Sequence, residues 1–156
     1  LGVTVVYLLL AALYESFIDP LIILLTVPLA LLGALIGLKL RGLPLDVYGQ
    51  MRLLVLVSLA AKNGILIVEF ANQRMAAGLA LHDAVIDAAV NRMRPILLTA
   101  ITSLAGFLPL LFAQGTGAAS RISIGTVVFS GLLVASLLSL YVVPTVYLLL
   151  KRWRSA

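Results

Sequence analysis

Lys62 is the residue whose chemistry most needs explaining, because it lies in the middle of residues 53–70, an apolar block long enough to cross a membrane. A charged side chain at that depth costs about 2.5 to 3.5 kcal/mol on insertion scales, so it faces protein or water and is normally paired. At helical spacing Ser58, Lys62 and Glu69 share one face, with Asn63 beside them. Glu69 is about 10.5 Å away along the helix axis, too far for a contact. We therefore expect the counter-ion of Lys62 to lie outside this chain.

A second polar stripe follows one face of the next apolar block, residues 95–112, and begins just before it. Its members are Arg92, Thr99, Thr102, Ser103 and Gly106. The hydroxyl groups are equally typical of packing between membrane helices, where Ser and Thr bond back to their own backbone. Arg92 is equally typical of a cytoplasmic anchor. A cation inside a span beside a row of hydroxyls favours proton or ion coupling over bond-breaking chemistry.

Several kinds of site are excluded because their motifs are missing. The sequence has no G-x-x-x-x-G-K-[ST] and no H-E-x-x-H, and none of the spans predicted below contains Asp. With no Cys and a single His, His82, it has no disulfide and no His/Cys metal cluster. We assign His82 no role, and we expect a protein that is not an enzyme and that holds no metal or cofactor.

The composition requires a membrane around these residues. Hydrophobic residues make up 63% of the 156 residues and charged ones 11%, with a mean hydropathy of +1.19. These values exclude soluble and disordered proteins. The net charge is +5, and the charged residues lie mostly between the apolar blocks, where they face lipid headgroups and water. No nucleic-acid partner is therefore expected.

Five apolar blocks predict an all-α, polytopic transmembrane helix bundle. The predicted spans are residues 1–14, 21–38, 53–70, 95–112 and 122–150. The first block is about 21 Å long as a helix and too short to cross, which suggests a piece of a longer protein. The pair Gly33 and Gly37, and the series Gly131, Ala135 and Ser139, predict close contact between helices.

Charges and aromatic residues suggest an orientation. Six Lys and Arg residues on the C-terminal side, against four on the other, favour a cytoplasmic C-terminus. Tyr147 and Trp153 are then expected in an aromatic belt on that side. Between the third and fourth spans, apolar residues recur at helical spacing over residues 79–93, with polar residues on the opposite face. This pattern predicts an amphipathic helix at the membrane surface.

The run LAAKNGILIVEFA at residues 59–71, followed by RMRPILLT at residues 92–99, closely resembles the resistance-nodulation-division (RND) multidrug efflux pumps of the acriflavine-resistance, or hydrophobe-amphiphile efflux, type. The resemblance extends over essentially the whole chain. It includes Leu13–Ser16, Asp46–Tyr48 and Gly115–Arg121.

The resemblance implies spans eight to twelve of a twelve-span proton antiporter. Lys62, Asn63, Arg92 and Thr99 then correspond to the family's proton relay, and the counter-ion of Lys62 is a pair of adjacent aspartates in the N-terminal half of the same protein. The family exports amphiphilic small molecules from the bacterial inner membrane as a homotrimer with a periplasmic adaptor and an outer-membrane channel. Its cycle is driven by the proton gradient without a cofactor. No substrate-binding residue can be assigned to this chain.

Two residues depart from the family, which more often has Gly where this chain has Arg52 and Ser58. Arg52 is expected to extend to the outer interface of the membrane. Three alternatives stay open at this point: a heavy-metal efflux branch, a protein-secretion accessory of the same superfamily, and a membrane scaffold that transports nothing. A metal pump should show Met or acidic residues along the spans, whereas the three Met lie at span edges or between spans.

Overall fold

A computed structural model describes residues 1–44 and 47–155, and Asp46, part of the family resemblance, lies outside them. Within these ranges the regular structure is entirely helical. The helices are α1 Gly2–Tyr14, α2 Ile18–Leu24, α3 Thr26–Leu40, α4 Val47–Ala76, α5 Leu81–Phe107 and α6 Ala118–Ser155, with a 3-10 turn at Leu108–Phe112 after α5.

Four stretches are long and apolar enough to cross a membrane, which confirms the all-α membrane bundle. They are Ile18–Leu40, Gly49–Ala76, Leu81–Phe112 and Ala118–Arg154. The helix Gly2–Tyr14 is a shorter apolar helix of 13 residues. The chain is therefore part of a multi-pass membrane protein.

The first long span differs from its expected extent in a way that changes its chemistry. It consists of α2 and α3, which meet at Leu25, and it begins at Ile18, before the apolar block starts at Leu21. Asp19 therefore lies in its first turn and is buried, so the prediction that no span contains Asp was wrong. The first turn tolerates Pro20 and favours an acid near the helix amino terminus, which explains the earlier start.

Helix α5 joins two segments that the sequence treats as separate. The amphipathic residues 79–93 do not form an independent surface helix, since α5 runs unbroken from Leu81 through Pro95 to Phe107. Ala84, Val85 and Ala88 are fully buried, and the last two belong to a core cluster with Val68 and Tyr147. The apolar stripe of this segment thus packs on α4 and α6.

Helices α3 and α6 pack closely along their small residues, as the G-x-x-x-G pattern predicted. A Cβ atom added to Gly33 would lie 2.7 Å from Cβ of Val134 and 2.9 Å from the backbone oxygen of Ser130. One added to Gly131 would lie 3.0 Å from the backbone oxygen of Ala30. The distances at Gly33 leave no space for a side chain, and a Cβ atom at Gly131 would be tight against α3, so glycine is what allows the two backbones to approach.

Candidate functional site

Three of the four predicted relay residues surround one small cavity between α4, α5 and α6. The cavity has a volume of about 50 Å³, enough for a water molecule. Its lining residues are Leu59, Lys62 and Asn63 of α4, Thr99, Ala100 and Ser103 of α5, and Leu132 and Ser136 of α6. The structure therefore brings Lys62, Asn63 and Thr99 together with two further hydroxyl groups.

Lys62 and Asn63 are consecutive residues, but they face different surroundings. Asn63 is buried, and its Nδ2 donates to Oγ of Ser136 across 3.3 Å. Lys62 lies near the middle of the span Gly49–Ala76 and is exposed at the surface of the bundle. A helix turns about 100° per residue, so burying Asn63 between α4 and α6 directs Lys62 toward the edge of that contact.

Lys62 makes no hydrogen bond or ion pair within the part of the chain that the structure describes. Ser58 and Glu69, which share its face, are also exposed and bond within α4: Ser58 donates to the oxygen of Leu54, and Gln73 donates to Glu69. The polar stripe predicted from the sequence thus lies on the outer surface of this bundle. Its exposed cation has room for a counter-charge that the described residues do not supply.

The two threonine hydroxyl groups of the α5 stripe bond to their own helix. Oγ1 of Thr99 donates to the backbone oxygens of Pro95 and Ile96 at 3.0 Å each, and Oγ1 of Thr102 donates to that of Leu98 at 2.8 Å. The lone pairs of Thr99 stay free to accept. Thr99 can therefore serve both as a packing residue of α5 and as an acceptor beside Lys62.

Arg92 lies apart from the cavity. Its guanidinium carbon is 4.6 Å from the ring centre of Phe70, which also carries the guanidinium of Arg74 at 4.8 Å. Nε of Arg92 is buried and has no hydrogen-bond partner among the described residues. Arg92 precedes Thr99 by two helical turns, about 10 Å. Arg92 therefore lies outside the cavity, where it stacks with Arg74 on the ring of Phe70.

The structure reveals a buried polar cluster that was not recognised in the sequence, formed by Asp19, Asn72, Tyr147 and Lys151. Asp19 is 1% exposed, and its Oδ2 accepts from Nδ2 of Asn72 at 2.7 Å. Nζ of Lys151 lies 3.3 Å from Oδ1 of Asp19 and donates to Oδ1 of Asn72 at 3.1 Å. The hydroxyl of Tyr147 donates to the same amide oxygen. The cluster joins the cytoplasm-facing ends, in the predicted orientation, of α2, α4 and α6.

One expected position is corrected by these contacts. Tyr147 is 1% exposed, so it is not in an aromatic belt, whereas Trp153 is 88% exposed. Arg52 is 6% exposed and donates to the hydroxyls of Ser120 and Ser123 near the beginning of α6. For both Tyr147 and Arg52, a hydrogen-bond partner on a distant helix keeps the polar end inside the protein.

Known proteins match this chain over nearly its whole length. The model of the AcrB/AcrD/AcrF family matches residues 1–151. The chain is 48% identical over 144 residues to the toluene efflux pump membrane transporter TtgB of Pseudomonas putida, a match of 92% of this chain and 14% of TtgB. It is 43% identical over 152 residues to the multidrug resistance protein MdtF of Escherichia coli, a match of 97% of this chain and 15% of MdtF.

A third relative is the multidrug resistance protein MdtC of Serratia proteamaculans, with 40% identity over 152 residues, 97% of this chain and 15% of MdtC. The chain thus spans only 14 to 15% of the length of these curated relatives. The resemblance to RND multidrug efflux pumps is confirmed. With a family match over residues 1–151 and relatives at 40 to 48% identity, this chain belongs to the AcrB/AcrD/AcrF family.

Proposed function

We propose that this chain is the C-terminal transmembrane part of a proton-driven antiporter that exports amphiphilic drugs or other hydrophobic compounds from the bacterial inner membrane. In this proposal Lys62, Asn63, Thr99 and Arg92 act in the proton relay, and the gradient supplies the energy. The C-terminus lies in the cytoplasm. The matched relatives are named as toluene and multidrug transporters, which supports this substrate class.

The observation that carries the proposal is the position of Lys62. It lies at mid-span, at the surface of the bundle and beside a cavity lined by hydroxyl and amide groups. An ammonium group at that depth is retained only if another group compensates its charge. In the family the compensating group is an aspartate pair on another span, so the missing charge and the family match point to the same partner.

Proton transfer can be coupled to movement through this arrangement. When the partner carboxylates are charged, they attract Lys62; when they are protonated, the attraction is lost and Lys62 can turn back toward Asn63, Thr99 and the cavity. Helix α4 is continuous over 30 residues, so a change at Lys62 is transmitted along its length. Arg92 lies two helical turns from Thr99, toward the end of the bundle that faces the cytoplasm in this proposal. It acts at the point where the proton leaves toward the cytoplasm.

Several parts of this function involve protein outside the chain. We propose a homotrimer, with a periplasmic adaptor and an outer-membrane channel as partners, because the family is of this type. Substrate contacts belong to the same missing portions. The heavy-metal and secretion branches have no observation in their favour here, since the matched relatives are named for toluene and multidrug transport.

The test is Lys62→Ala in the whole transporter, with dye efflux measured in energised cells. We expect efflux to fall to the level of cells without the transporter, since the partner carboxylates lose their counter-charge in a medium of low dielectric. Lys62→Arg should also lose most activity, because a planar guanidinium does not reproduce the compact charge of an ammonium.

The matched control is Lys39→Ala, which removes an exposed lysine from the end of α3 and should leave efflux near normal. Membrane abundance and trimer content are measured for every variant. Near-normal efflux by Lys62→Ala at normal abundance would show that Lys62 is an anchor of depth or packing, and the relay would have to be abandoned.

A further inference from the structure

We propose that Asp19, Asn72, Tyr147 and Lys151 form a positioning cluster that fixes the axial register of α4 against α2 and α6, and through α4 the depth of Lys62. The consequence for Lys62 rests on the proposed function. The register itself is a property of the helix bundle and is tested without transport.

Asn72 is the centre of the cluster because both ends of its amide are used by different helices. Nδ2 donates to Asp19 of α2, whereas Oδ1 accepts from Tyr147 and Lys151 of α6. Turning the amide over would point its NH₂ group at the ammonium of Lys151 and its oxygen at the carboxylate of Asp19. The charges of the two neighbours therefore hold the amide in one orientation, with α4 between them.

The charges also oppose separation of α2 from α6. Asp19 is buried, and the side chain of Lys151 is 19% exposed, with 3.3 Å between Nζ and Oδ1. Oδ1 of Asp19 has no hydrogen bond among the described residues, so its charge is compensated by the ammonium beside it and by the amino terminus of α2. Removing either partner leaves a buried charge uncompensated, which the bundle relieves by moving a helix end toward water.

The apolar contacts around the cluster do not by themselves select a register. Ile22, Ile67, Val68 and Val143 are fully buried there, and contacts between such side chains are non-directional. Sliding α4 by one helical turn, about 5.4 Å, exchanges the apolar neighbours at this cluster for other apolar neighbours. The same slide carries Asn72 out of hydrogen-bond reach of all three partners. At this end of α4 directional polar contacts therefore distinguish one register from the next, in addition to the steric fit of Leu56 on Gly131 farther along the helix.

The connection to Lys62 is the helix itself. Lys62 and Asn72 lie ten residues apart on the unbroken α4, about 15 Å along its axis. Asn63 bonds to Ser136 of α6 at 3.3 Å, and Arg52 donates to Ser120 and Ser123 of α6, so α4 has two further points of registration. A change at Asn72 therefore shifts Lys62 relative to α6 unless the bonds of Asn63 and Arg52 hold it.

The register can be measured by disulfide crosslinking in the whole polypeptide that carries this chain, in native membranes, after any cysteines elsewhere have been replaced. The side chain of Leu56 lies directly on Gly131, and this chain contains no Cys. Leu56→Cys removes the two Cδ atoms closest to a Cβ atom at position 131, and the backbone oxygen of Ala30 then remains at 3.0 Å. Leu56→Cys is combined in turn with Gly131→Cys, and with Val127→Cys or Ala135→Cys one turn to either side. In the parent the pair at 56 and 131 should dominate.

In Asp19→Asn or Lys151→Met, we expect the fraction of crosslinked protein joined through position 127 or 135 to be several-fold larger than in the parent. Tyr147→Phe, which removes one hydroxyl and no charge, should shift it less and in the same direction, and it covers the case in which Asp19→Asn does not fold. The control Asp83→Asn neutralises an exposed acid at the same end and should leave the parent pattern.

An unchanged crosslink pattern in Asp19→Asn and Tyr147→Phe would overturn the proposal. So would loss of all three crosslinks in proportion to loss of folded protein, because that is the result of a general folding role. Crosslinking needs no efflux, so its outcome is independent of whether Lys62→Ala stops transport.

Discussion

At the scale of single residues, Asn63 connects the candidate site to the packing of the bundle. Its buried amide donates to Ser136, so Asn63→Ala removes a hydrogen bond and leaves the hydroxyl of Ser136 without that donor. We expect the free energy of unfolding to fall by about 0.5 to 1.5 kcal/mol. An unfolding titration in mixed micelles measures it.

Ser58→Ala is the control for this change. The hydroxyl of Ser58 is exposed and bonds only to the oxygen of Leu54 on its own helix, so its removal should alter the free energy of unfolding little. Equal effects of the two variants would mean that the contact between Asn63 and Ser136 contributes nothing to holding α4 on α6.

How far the site could be predicted depended on the range of each signal. Lys62 was recognisable from one apolar block, because a charge at mid-span is unusual wherever its partners lie. The polar cluster was not recognisable, since Asp19 and Asn72 are 53 positions apart, and Asn72 and Lys151 are 79. Each looked like an ordinary residue at the end of a span, and only the packing of three helices brings them together.

At the scale of helices, the contact of α3 with α6 predicts an unequal response to the same substitution. Gly33→Ala places a Cβ atom against Val134 and a backbone oxygen, so we expect a loss of about 1 to 3 kcal/mol from overpacking. Gly106→Ala on α5 meets nothing within 4 Å and should gain up to about 1 kcal/mol from helix propensity.

The measurement is the free energy of unfolding of both variants under identical conditions. Because both changes add the same methyl group to a helix, the difference between them isolates the contact of α3 with α6. If Gly33→Ala is as stable as Gly106→Ala, the two helices are not packed through Gly33.

The sequence predicted this contact but missed the continuity of α5, and the reasons differ. Small residues every four positions directly indicate a helix face suited to close packing. The end of a helix, in contrast, depends on what the helix packs against. Pro95 favours a boundary at residue 94, yet the burial of Ala84, Val85 and Ala88 against the core keeps the first half of α5 in line with the second.

At the scale of the whole molecule, the two ends of the bundle should lie on opposite sides of the membrane. Thr116, in the exposed turn after the 3-10 segment, and Trp153, near the end of α6, are both exposed and lie at opposite ends of the long span Ala118–Arg154. In spheroplasts, Thr116→Cys should react with an impermeant thiol reagent, and Trp153→Cys should react only after permeabilisation. Labelling of Trp153→Cys in sealed spheroplasts would reverse the proposed orientation.

These residues expressed by themselves should insert into the membrane and transport nothing. Four stretches can cross, but Lys62 has no counter-charge among the described residues, and the chain covers only 14 to 15% of its relatives. Membrane fractionation tests insertion, and dye efflux by the same cells tests transport. Efflux above that of cells with an empty vector would contradict the dependence on a missing half.

The pairing of α3 with α6 also sets an order of events during synthesis. Gly33 and Val134 touch, although roughly 100 positions separate them along the chain. At about 5 to 20 residues per second, α3 waits about 5 to 20 s after it leaves the ribosome before its partner has been made. Over that interval the glycine face of α3 meets lipid or provisional helix neighbours. The contact between α3 and α6 therefore cannot form until about 100 further residues have been made after α3.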